Sequence, residues 1–160
     1  MKTQYIFGDR HPRWIAGLWF STILVGARLI LNSAVALLAP RAVLSRPIPN
    51  SLLPTYAVLL LVAGCVGSRL GSGLLAPGVE PEEVVRRGAW IGLLTGLVSA
   101  PLGAVAQWAV SLGKPHDPAW VGATLIAIQA CFLAGWLLPL GVVAAWCFVR
   151  LGGPTERSPA

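Results

Sequence analysis

The chain has 160 residues, 56% of them hydrophobic and only 11% charged, where an ordinary soluble domain carries about 25% charged residues. Mean hydropathy is +0.73, and 12 Lys and Arg against 6 Asp and Glu give a net charge of +6. These values exclude a disordered chain, argue against a soluble enzyme, and fit one compact unit.

The basic residues sit mainly between apolar runs. That placement points to membrane topology and lipid head groups rather than to nucleic acid. Four apolar runs are long enough to cross a bilayer: residues 14–38, 55–75, 88–112 and 119–149. The expected fold is therefore an all-α integral membrane protein, a bundle of four transmembrane helices forming a single membrane domain.

The first run contains Ala34-Val35-Ala36, which resembles a signal-peptide cleavage site, but the run is too long for a signal peptide. Gly17, Ser21, Arg28 and Asn32 share one narrow face of it at helical spacing. Arg28 is 14 residues beyond Trp14, roughly 21 Å into a hydrocarbon core of about 30 Å. A central Arg costs about 2.5–3.5 kcal/mol on insertion scales, so its face is expected to meet an interior, a partner or a head group. The following loop, residues 39–54, holds Pro40, Pro47, Pro49 and Pro54 and favours extended structure open to a partner.

In the second run Ala63, Gly67 and Gly71 repeat every four residues as a packing stripe. Arg69 falls nearly opposite, beside Cys65, Ser72 and Gly73. Arg28, Asn32, Arg69 and Ser72 are the candidates for binding a lipid, an anion or a partner. By helix length the two arginines differ in depth by roughly 12 Å, which disfavours one small anion shared by both. Every acid lies outside the four runs, so a buried Arg would need an anion from outside the chain.

Before the third run, Pro81, Glu82 and Glu83 precede Arg86 and Arg87. The pattern predicts a short solvated helix start with Glu82–Arg86 and Glu83–Arg87 pairs. The third run carries Gly88, Gly92, Gly96, Ser99, Gly103 and Gln107 within about 100° of arc. Trp90 and Trp108 are 18 residues apart, roughly 27 Å, which matches the two interfaces of a bilayer. A tight loop, residues 113–118, leads to the fourth run. There Ala123, Ala127, Ala130, Ala134, Gly141 and Ala145 form another small-residue stripe. Pro101 and Pro139 interrupt the last two runs. Residues 151–160 read as a flexible tail.

Close helix packing within the chain is the plain use of the stripes at Gly67, Gly71, Gly88, Gly92, Gly96 and Gly103; the sharper use is a face kept for another subunit. Seven basic residues (Lys2, Arg10, Arg13, Arg86, Arg87, Arg150, Arg157) fall on one side of the expected topology. Arg41, Arg46 and Lys114 fall on the other, so the positive-inside rule places both termini in the cytoplasm.

Catalytic signals are missing. No run contains a carboxylate or a His, which argues against a proton-coupled carrier and an intramembrane serine protease. His11 and His116 fall on opposite sides, so they cannot ligate one haem. Cys65, Cys131 and Cys147 lack metal-site spacing. No metal and no cofactor is expected. The sequence leads to a non-enzymatic accessory or scaffold subunit of a larger complex in a bacterial or archaeal cytoplasmic membrane. Its expected partners are membrane lipids and other membrane protein subunits, with no nucleic acid. The second reading is a small oligomeric transporter or channel for an anionic solute, using Arg28 or Arg69.

Overall fold

A computed structural model describes residues 12–38, 52–76, 78–110 and 119–152. It contains four long helices: α1 (Pro12–Leu38), α2 (Leu52–Leu70), α3 (Pro81–Val110) and α4 (Ala119–Gly152). All four are long and apolar enough to cross a membrane, and no strand occurs among the described residues. Only 22–39% of each apolar window is buried within the bundle. The remainder, including Trp14, Leu18, Ile30, Leu61, Trp90, Val105, Trp108, Phe132 and Val143, faces outward, as lipid-facing side chains do.

Three boundaries differ from expectation. The second run begins earlier, at Leu52, and its helix stops at Leu70. Residues Ser72–Leu75 form a 3-10 turn instead, with the Leu74 N–H donating to the Gly71 carbonyl at 3.0 Å. Gly71, Gly73 and Gly78 supply the break, and Gly78 takes the left-handed backbone (φ 80°) that only Gly adopts freely. α3 starts at Pro81, as the sequence pattern predicts, and the missing N–H is no loss there. α4 runs on to Gly152, so Leu151 and Gly152 are helical; residues 153–160 lie outside the described residues, as do residues 39–51 and 111–118.

The helix start at Pro81 is tied differently from the expected pairs. Glu83 binds both Arg86 and Arg87, and Glu82 is exposed, with no ion pair among the described residues. Three- and four-residue spacings both point toward Glu83, so one carboxylate serves two guanidinium groups. The Arg87 guanidinium lies over Gly73, joining α3 to the turn.

The glycines of the expected stripes on the second and third runs, with Ala134, Gly141 and Ala145 of α4, pack inside the chain, whereas Ala127 of the fourth-run stripe is exposed. A Cβ on Gly92 would overlap the Leu137 carbonyl; one on Gly96 would come within 2.5 Å of the Ala134 Cα, and one on Gly88 within 2.8 Å of the Gly141 oxygen. α3 and α4 therefore meet backbone to backbone. On α2, Gly67 and Gly71 receive the Phe20 ring of α1, while Gly103 of α3 faces Thr55. Sequential antiparallel packing closes with α4 against α1, where the Trp19 Nε1–H donates to the Ala144 carbonyl at 3.0 Å. Phe20, Leu24, Ile91, Leu137 and Phe148 fill the core at this end of the bundle.

Gly92→Ala is expected to cost about 2 kcal/mol or more, because the Leu137 backbone cannot move aside as a flexible side chain would. At Gly26 a Cβ would meet nothing within 4 Å, so Gly26→Ala should be neutral or stabilise by up to about 1 kcal/mol through helix propensity. Thermal unfolding of both variants in mild detergent checks the pair.

Candidate functional site

The buried face of α1 climbs in steps of four: Ala16, Phe20 and Leu24 are each fully buried. The next two steps are Arg28 and Asn32. A cation and an amide thus occupy positions that would otherwise continue the apolar core. Both side chains are half-buried.

Around them lies a cavity of about 60 Å³, lined from all four helices. α1 contributes Arg28 and Asn32, α2 contributes Thr55, Tyr56 and Leu59, α3 contributes Ser99 and Gln107, and α4 contributes Gln129 and Leu133. Leu59, Ser99 and Leu133 are at most 3% exposed and form the floor, whereas Gln107 is exposed. The Asn32 Nδ2 donates to the Tyr56 hydroxyl. The Ser99 hydroxyl turns back to the Gly96 carbonyl at 3.5 Å. One turn below Ser99, the Thr95 hydroxyl is fully buried with no hydrogen-bond partner among the described residues.

Arg28 makes no ion pair or hydrogen bond with any described residue, and no acid lines the cavity. The lining therefore offers one positive charge, two hydroxyl-bearing side chains on α2, and three amide side chains. At roughly 10–15 Å³ per water, the space holds about four to six waters or a head group of that size. Such a site has the chemistry to hold one anion. It holds no nucleophile paired with a base, and no group of three metal-ligating side chains occurs among the described residues.

The four binding candidates divide into two pairs. Arg28 and Asn32 come together in the cavity. Arg69 and Ser72 lie at the opposite end of α2, where the Ser72 hydroxyl donates to the Arg69 carbonyl at 3.4 Å. Arg69 is exposed, 13 residues beyond Tyr56 and so roughly 20 Å away along the helix. It faces outward beside exposed Cys65, in position to reach head groups along its own length. The packing glycines Gly67, Gly71, Gly88, Gly92, Gly96 and Gly103 all meet other helices of the same chain.

Thr55 and Tyr56 are cavity residues that the sequence reading does not single out. A signal is present: stepping back from Ala63 by four and seven residues along its stripe reaches Leu59 and Tyr56. No protein-family model, curated protein or solved structure matches the chain.

A half-buried charge without a counter-ion among the described residues is a cost that the fold must carry. In neutral detergent free of anionic amphiphiles, Arg28→Met is expected to raise stability by about 1 kcal/mol. Arg69→Met should change it by less than about 0.5 kcal/mol, as exposed positions do. Destabilisation by Arg28→Met would mean that Arg28 has a partner already.

Proposed function

We propose that this chain is a non-enzymatic multi-pass protein of a bacterial or archaeal cytoplasmic membrane. In this reading both termini are cytoplasmic, and it works as an accessory subunit or scaffold. Its working part is the four-helix cavity, which holds an anionic group brought by a lipid or by another membrane component. The single observation that carries this is Arg28, a cation at a core position of the bundle with no acid among the described residues to neutralise it.

The glycine stripes are already filled by helices of the same chain, so they leave no small-residue groove for another subunit. Association would run through the anion at Arg28 and through the exposed apolar faces. The seven-to-three distribution of basic residues supports the orientation.

Transport of an anionic solute is the second reading. The same Arg28 cavity favours it as a binding step. Passage is opposed by the core below Thr95, where Phe20, Leu24, Ile91, Leu137 and Phe148 leave no polar route through this conformation.

Gentle solubilisation from native membranes followed by native mass measurement tests the proposal. The expected particle is heavier than the 16.8 kDa chain by a bound amphiphile or partner, and Arg28→Gln should reduce that companion about tenfold. A bare chain, or a companion unaffected by Arg28→Gln, would overturn it. Anion flux in liposomes lost on Arg28→Gln would replace it with the transport reading.

A further inference from the structure

Two polar groups near the middle of α4 are left without partners when the bundle closes. The first is a backbone carbonyl. Pro139 stands inside α4 and has no N–H, so the Gly135 carbonyl, four residues earlier, loses its donor within the helix. The second is the indole N–H of Trp136. Trp19 gives its N–H to the Ala144 carbonyl, whereas Trp136 makes no hydrogen bond with any described residue. Both groups lie on the outward side of α4. A Cβ on Gly135 would meet nothing within 4 Å, so no described helix of the same chain covers it. Trp136 is 41% exposed, and Cys131, Phe132, Pro139 and Val143 around it are exposed as well.

Depth makes both groups costly. Trp136 is ten residues from Trp146 and sixteen from Trp120, roughly 15 and 24 Å along the helix. Those two lie near the ends of α4, the levels at which tryptophan is favoured in a bilayer. Trp136 thus falls well inside a hydrocarbon core of about 30 Å. No water is present there to accept its proton or to serve the carbonyl, and lipid tails offer neither donor nor acceptor.

A donor and an acceptor on adjacent residues of one outward face are self-complementary. A twofold axis along the membrane normal leaves depth unchanged, so Gly135 and Trp136 of one copy meet the same two residues of another. Each indole N–H then donates to the other copy's carbonyl. The missing side chain at Gly135 lets the two helices come near enough for that reach. α3 carries only half of this. Pro101 frees the Leu97 carbonyl in the same way, on an exposed residue, but the neighbouring Gly96 and Val98 bring no donor. We propose that the outward face of α4 around Gly135 and Trp136 binds a second copy of this chain, through two reciprocal Trp136-to-Gly135 hydrogen bonds. This contact uses none of the cavity residues and takes from the proposed function only the membrane setting.

Single-molecule counting of the labelled full chain in phosphatidylcholine vesicles, over a range of dilutions, tests it. The expected result is a monomer–dimer equilibrium. Trp136→Phe keeps a ring and removes the donor, and should weaken the dimer about tenfold. Pro139→Ala gives the Gly135 carbonyl a donor in its own helix and should weaken the dimer to a similar extent. The double variant should be scarcely weaker than either single one, because both changes remove the same bonds. Gly135→Leu should give monomers whose thermal unfolding is unchanged, since the added side chain starts where nothing in the bundle stands. Arg28→Gln should leave the dimer intact. Monomers at every dilution, or a dimer indifferent to both Trp136→Phe and Pro139→Ala, would overturn the proposal. A dimer lost on Arg28→Gln and kept in Gly135→Leu would also overturn it, by moving the contact to the cavity. Failure of the chain to insert into vesicles would overturn the membrane setting itself.

Discussion

Gly92 of α3 lies so close to the Leu137 carbonyl of α4 that a Cβ there would overlap it, and much of the architecture follows from this approach. In a membrane, hydrophobic attraction between helices is weak because lipid is equally apolar, so association depends on how near the backbones can come. Gly88, Gly92 and Gly96 let α3 and α4 press together over about two turns, with Ala134, Gly141 and Ala145 opposite. α1 then enters through Phe20, whose ring needs the missing side chains of Gly67 and Gly71 to lie flat on α2. For helices surrounded by lipid, contacts of this kind substitute shape for the hydrophobic driving force that a soluble core would use.

The same contacts make the two ends of the bundle unlike. At the end bearing Trp19, Phe20 and Phe148, the core is dry and the aromatic rings lie close, at 6.0 and 5.9 Å between centroids. At the other end the buried ladder of α1 continues into Arg28 and Asn32, and the helices leave a polar space. An apolar residue at position 28 would close that space at no electrostatic cost. A cation there, with no acid beside it among the described residues, is the feature on which the proposed anion binding rests. Thr95, buried one turn below the floor with no hydrogen-bond partner among the described residues, extends this polar exception toward the middle of the bundle.

Most of this architecture is legible in the sequence. Composition alone points to a membrane chain, and helix periodicity groups the glycines into stripes. Arg28 and Asn32 stand out because a charge inside an apolar run is rare. Their surroundings are harder to see. Periodicity gives the direction of a side chain around its own helix, but not which neighbour it meets or how far apart the neighbours stand. That is why Arg69 looks equivalent to Arg28 in sequence, though it faces outward, and why Tyr56 at the start of α2 does not stand out. Glu82 misleads for a related reason: its i,i+4 spacing to Arg86 is ideal, yet Glu83 takes both arginines. The use of the stripes inside the chain rather than against a partner also depends on the register between helices, which one sequence does not specify.

The account turns on the Arg28–Asn32 face of α1 pointing into its own bundle. Cysteine crosslinking in native membrane vesicles tests this directly, with Asn32→Cys and Tyr56→Cys placed in a chain whose Cys65, Cys131 and Cys147 are replaced by Ser. The tip of the Tyr56 ring reaches Asn32, so a bifunctional thiol-reactive linker of roughly 10 Å should join the two cysteines within most chains, although they stand too far apart for a direct disulfide. Linked dimers without that internal link would place the face against another copy, and no link at all would turn Arg28 outward. Either result would contradict the account.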